Sequence, residues 1–113
     1  MEVSISARHC ILPESIRRRA ESRLLRLERI EPRLTSIHLA FDHDRGVTVA
    51  EARLYVAGGH TMVARGSGNG FRNALDRATD RLTRQLKRRN ERRREHHAPR
   101  PAAAVPERRW QRA

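Results

Sequence analysis

Three short stretches hold residue types that could do chemistry. His9-Cys10 sets an imidazole beside the chain's one thiol, the raw material of a nucleophile and its base, but no orienting third group accompanies the pair. Asp42-His43-Asp44 lines up three metal-ligating side chains. It adjoins Arg45-Gly46, and Asp and Gly in such a run ordinarily serve a hairpin turn. Gly66-Ser67-Gly68-Asn69-Gly70 precedes a helical pattern, as phosphate-cradling loops do. It lacks the Gly-Lys-Ser/Thr ending and the parallel βαβ setting of a P-loop. The six histidines show no His-Glu-x-x-His spacing, and one cysteine cannot build a zinc finger. The residues therefore suggest no enzyme, no metal, no cofactor and no small-molecule substrate.

What the chain does carry is guanidinium. It has 24 Arg and 1 Lys against 13 Asp and Glu, a net charge of +12 in 113 residues. From Arg72 onward 14 cations oppose 5 acids, so +9 of the +12 lies in the last third. Arg forks suit phosphate oxygens. A like-charged run repels itself unless a polyanion neutralises it. Only 4% of the residues are aromatic, too few for a platform that stacks single-stranded bases. A nucleic acid would be held by its phosphates and its shape, without readout of sequence.

These cations need a scaffold. The stretch Asn69 to His97 has apolar residues at Phe71, Ala74, Leu75, Ala78, Leu82 and Leu86, one stripe of an α-helix. Asn69 is expected to cap it, with Gly70 in its first turn. Asp76 and Asp80 are expected to pair with Arg84 and Arg77 along the same helix. The stripe stops at Leu86 while Lys87, Arg88, Arg89, Arg92, Arg93 and Arg94 continue. The first half should pack on a core and the second project as a cationic rod.

Upstream, Glu2 to Arg8 alternates as a half-buried strand. Pro13 suits the first position of a helix whose stripe is Ile16, Ala20, Leu24 and Leu27; Pro32 ends it. Strands follow at Leu34 to Asp42, Val47 to Ala57 and His60 to Gly66, with turns at Asp44-Arg45-Gly46 and Gly58-Gly59. The order is β-α-β-β-β-α. That predicts a two-layer α+β domain over 1–97, a four-stranded sheet with two helices packed on one face. The other face would show Ser4, Ser6, His38, Glu51, Arg53 and Tyr55. Residues 98–113, rich in Pro, Ala and Arg, read as a disordered basic tail in which Trp110 is an isolated aromatic. The single cysteine and the lack of a long apolar run point to a cytoplasmic protein without a membrane partner.

The pattern resembles the ribosome hibernation-promoting factors, the ribosome-associated inhibitor or sigma-54 modulation protein family, in its short form. The matching pieces are Val3-Ser4-Ile5-Ser6, Leu25-Arg26-Leu27-Glu28, the run Ala52 to Gly59, Ala74-Leu75-Asp76 and Asp80 to Lys87. Together they span about residues 1–95. The resemblance implies the fold just described and a non-enzymatic translation inhibitor. Such a protein binds the small ribosomal subunit, on its ribosomal RNA and in 70S ribosomes. It occupies the channel of mRNA and tRNA and silences ribosomes in stationary phase or stress. A second hibernation factor is a further partner in that setting.

Carried over by position, Arg23 and Arg26 of the first helix match family cations, as do Arg81, Arg84, Arg88 and Arg92 of the second. Lys87 and Arg89 join them from the charge run itself, completing the expected RNA-binding set. Gly70, Phe71 and Arg72 stand where the family often has Asp, an apolar residue and Tyr or His. The alternative function is a protein-binding regulator, as the sigma-factor label suggests.

Overall fold

The computed structural model describes residues 1–97, with side chains through Arg93. The expected tail over 98–113, with Trp110, lies outside the described residues. The elements are β1 (Glu2–Arg8), α1 (Glu14–Ile30), β2 (Leu34–Asp44), β3 (Val47–Val56), β4 (His60–Gly68) and α2 (Phe71–His97). The order is β-α-β-β-β-α, as the sequence predicts.

The sheet order is β1-β2-β3-β4. β1 and β2 are parallel, so the chain must cross over between them, and α1 is the crossover. The other two pairs are antiparallel hairpins. Arg45 (φ 52°) and Gly46 (φ 78°) both adopt positive φ. That matches a two-residue hairpin turn whose twist suits its strands. β2 runs on through His43 and Asp44 into this turn, two residues past the expected end. His43 and Asp44 therefore lie in the strand, and Asp42 accepts a hydrogen bond from the His43 N–H at 2.8 Å and meets His9 Nδ1 at 3.0 Å.

Register puts Val3 beside Ile37, Ile5 beside Leu39 and Ala7 beside Phe41. Leu54, Ala52 and Ala50 of β3 continue the same rows, then Met62, Ala64 and Gly66 of β4. That face meets Ala20, Leu24 and Leu27 of α1 and Ala74, Leu75, Ala78, Leu82 and Leu86 of α2, all buried in one core. Phe71 closes one end, edge-on to Phe41 at 5.7 Å between ring centroids. The opposite face carries no covering layer among the described residues, and Ser4, Ser6, His38 and Arg53 are exposed on it.

Several local expectations are corrected. α1 begins at Glu14, with Pro13 as its cap: the Pro13 carbonyl accepts the N–H groups of Ile16 and Arg17, each at 3.1 Å. α2 begins at Phe71, and the carbonyl of Gly70 accepts the Ala74 N–H at 3.2 Å. Asn69 makes no side-chain hydrogen bond to described residues and does not cap the helix. Most of the glycine-rich stretch is not a loop either, since β4 extends through Gly68 and leaves only Asn69 and Gly70 as the connection. A Cβ on Gly66 would lie 2.5 Å from Ala78 N and 2.6 Å from Ala74 O. This glycine lets α2 lie directly on the strand, with helix backbone against strand backbone.

Candidate nucleic-acid interface

The two helices lie side by side and run in the same direction. Arg19 of α1 meets Asp76 of α2, and further along both helices the Ile30 carbonyl accepts a hydrogen bond from Asn90 Nδ2 at 2.8 Å. Acids on this seam bind cations across it. Arg19 donates to both oxygens of Asp76, Nε at 3.1 Å and Nη2 at 3.0 Å, a bidentate pair. Arg23 Nε reaches Asp76 Oδ1 at 2.9 Å, and its Nη1 lies 3.7 Å from Asp80. The hydrogen bond from Arg19 holds the Asp76 carboxyl below its ordinary range. Partial burial opposes the shift, and the charges of Arg23, Arg19 and Arg72 reinforce it. Asp76 also raises the pKa of Arg19. The expected pairing of Asp76 and Asp80 with Arg84 and Arg77 is thus replaced by pairing between helices. Asp76, which is half-buried, gains more from cations brought against it across the seam than from exposed neighbours on its own helix, and the exposed Asp80 shares one of those cations.

A second acid lies deeper. Glu31, at the end of α1, is 1% exposed. One of its oxygens accepts the Arg33 N–H at 3.1 Å. The other lies 3.5 Å from Arg89 Nη1 and 3.6 Å from Arg93 Nη1. The helical face that carries Leu82 and Leu86 continues at steps of three and four through Arg89 and Arg93. The interior face of α2 therefore does not stop at Leu86. It changes from apolar to ionic and stays clamped to α1 as far as Arg93, where the sequence suggested a projecting rod.

The other flank of α2 covers the edge of the sheet. Arg77 Nη1 donates to the Ser67 carbonyl at 2.6 Å, Arg81 Nη1 to the Arg65 carbonyl at 2.6 Å and Gln85 Nε2 to the Val63 carbonyl at 3.3 Å. Four residues of helix rise about 6 Å and two of strand about 6.8 Å. A donor at every fourth helical position therefore keeps step with an outward carbonyl at every second strand position. An edge strand left open would invite another strand.

The expected site residues now divide by what they touch. Arg23 and Arg89 are bound to acids within the fold, and Arg81 spends one nitrogen on the β4 edge. Arg26, Arg84, Lys87, Arg88 and Arg92 are exposed and make no ion pair or hydrogen bond with any described residue. Arg84, Arg88 and Arg92 succeed one another at steps of four, with Lys87 three past Arg84, one long cationic strip. Arg26, three residues past Arg23, stands outward beside the seam. Arg29 and Lys87 flank a depression of about 330 Å³ completed by Ile30, Asn90 and Glu91. Sequence reasoning did not single out Arg29 for this place, since only the packing of α1 against α2 brings it to Lys87.

The uncovered sheet face is different in kind. Glu51 pairs there with Arg53 and Arg65, at 3.4 and 3.8 Å, and His38 stands edge-on to Tyr55. By register that face carries Glu2, Asp42, Asp44 and Glu51 against Arg8, Arg53 and Arg65, so charge is nearly balanced on that side and in excess on the helices. No cluster of His, Cys, Asp and Glu among the described residues could hold a metal ion. No described helix is long and apolar enough to cross a membrane.

Comparisons with known proteins bear on the fold and on the family. No curated protein matches the chain. A ribosomal subunit interface protein from Coxiella burnetii is similar in structure, with a TM-score of 0.74 over 80% of this chain and 99% of that chain. At 18% identity the likeness speaks to the fold alone. The N-terminal domain of Thermus thermophilus Protein Y is similar at a TM-score of 0.69 and 26% identity, over 78% of this chain and 98% of that chain. The model of one family matches residues 3–94, from β1 to the cationic strip. On that match the chain belongs to the Sigma 54 modulation protein / S30EA ribosomal protein family.

Proposed function

We propose that this protein is a non-enzymatic ribosome-binding factor of the cytoplasm. It binds the small subunit by laying its helical layer on ribosomal RNA, and it silences translation in stationary phase or stress by filling the channel that mRNA and tRNA would occupy. The supporting observation is the division of charge. Arg26, Arg84, Lys87, Arg88 and Arg92 face outward from the helices without partners among the described residues, while the opposite face is nearly balanced in charge. Membership of a family described as S30EA ribosomal protein favours a ribosomal partner over other polyanions.

In this reading the five outward cations contact phosphates. Arg81 adds its remaining donors. Arg23 and Arg89 act from within, holding the helices in the alignment that presents the others. No bond is made or broken, so inhibition is steric. The test is to saturate small subunits with the protein and then measure binding of mRNA and initiator tRNA. Exclusion of both is the expected result, and undiminished binding would overturn the proposal. The family's sigma-factor label gives the alternative, a protein partner. It would show as a captured protein that survives nuclease and moderate salt.

A further inference from the structure

The two edges of the sheet are treated differently. Three side chains of α2 cap the β4 edge. β1 forms the other edge, and among the described residues its only hydrogen-bond partner besides β2 is the Cys10 thiol, on the Arg8 carbonyl at 3.2 Å. The strand contains no proline, lysine or bulge that would blunt an edge. Val3 and Ile5 are only half-buried and Ala7 is exposed, so the helical layer leaves this margin partly uncovered.

We propose that the outer edge of β1 is a self-docking edge, on which two copies of this chain pair antiparallel into one continuous sheet. The occupant is indicated by the symmetry of the strand. Its sequence, Glu2-Val3-Ser4-Ile5-Ser6-Ala7-Arg8, is mirrored about Ile5 in size and reversed in charge. Antiparallel pairing centred on Ile5 sets Ile5 opposite Ile5, Ser4 opposite Ser6 and Val3 opposite Ala7. It also sets Glu2 opposite Arg8, twice. Opposite charges directly across a ladder stabilise it and like charges destabilise it. Parallel pairing in register would put Glu2 on Glu2 and Arg8 on Arg8, and a one-residue slip would turn the apolar members to the wrong face.

The two-fold axis of such a pair stands perpendicular to the sheet. Both helical layers, and so both cationic strips, then face the same side, and a polyanion meets two sites on one rigid body. Each copy carries +12, so long-range repulsion opposes the pairing until salt screens it over about 8 Å at physiological strength. Self-association should therefore strengthen from low to moderate salt, opposite to phosphate binding.

Sedimentation equilibrium of the nuclease-treated full chain at moderate salt tests the proposal independently of ribosome binding. A reversible monomer–dimer equilibrium is expected. Glu2→Arg alone and Arg8→Glu alone should each weaken it about tenfold or more, since each turns two attractive pairs into repulsive ones. The double variant E2R/R8E should restore it. Both side chains are exposed, and circular dichroism confirms that each variant is folded. A wild-type chain that stays monomeric at all concentrations, single variants that dimerise like wild type, or a double variant no better than the singles would each overturn the proposal.

Discussion

Glu31 Oε2 lies 3.5 Å from Arg89 Nη1, joining the end of α1 to a turn of α2 that lies 58 residues further along the chain. The carboxylate is 1% exposed and its partner guanidinium largely enclosed. Removing one member of such a pair leaves the other buried and uncompensated. Glu31→Gln keeps the shape and removes the charge. It should destabilise the fold by roughly 3–5 kcal/mol, read from urea unfolding midpoints at an unchanged m-value. Amide exchange in α2 around Asn90 should accelerate with it, because the helix loses its tie to α1.

Asp76 is the corresponding tie nearer the start of α2. Its folded-state pKa is lowered, so the stability it contributes is full above the ordinary carboxylate value of 3.8 and is lost as pH falls below it through the folded-state value. Asp42, lowered first by its hydrogen bond with His9, acts in the same direction. Stability should hold from neutral pH down to about that value and drop beneath it. Asp76→Asn should cost about 1–3 kcal/mol at neutral pH and flatten the acid decline, seen as a smaller difference in unfolding midpoint between pH 7 and pH 3.

Gly66 tests the packing of helix on strand. An added methyl would meet backbone atoms of Ala74 and Ala78 within 2.6 Å, and neither can yield without moving α2. Gly66→Ala should cost about 1–3 kcal/mol or more. Gly46→Ala, in a turn with nothing near its Cβ, should cost less, through its positive φ alone. Equal losses in thermal unfolding would contradict the close-approach account.

The contrast between local and long-range pattern explains what the sequence revealed. Alternation in Leu34 to Asp42 and the stripe from Phe71 to Leu86 are properties of consecutive residues, so the elements and their order were legible. Partners were not. Asp76 finds Arg19 at a separation of 57 residues, and no spacing rule along α2 points there. Glu31 stands beside Pro32 with nothing in its local sequence to set it apart. The available signal was that Arg89 and Arg93 fall on the stripe of Leu82 and Leu86, which calls for a buried acid on another element. Gly66 and Gly68 resembled a phosphate loop because glycine marks close backbone approach in either setting, and only the fold shows that the approaching group is α2. The candidate interface was legible as a class of residue. Which cations face outward, and which hold the helices together, required the geometry.

The central claim is that the outward cations, and not the internal ones, carry ribosome binding. The direct measurement is cosedimentation with small subunits of a variant with Arg84, Lys87, Arg88 and Arg92 all changed to Gln, after circular dichroism has confirmed its fold. Wild-type binding through about five phosphate contacts should fall roughly 10²–10³-fold between 50 and 200 mM salt. The variant should leave the subunit fraction at the lowest of these concentrations. A folded variant that sediments with small subunits as fully as wild type would contradict the account.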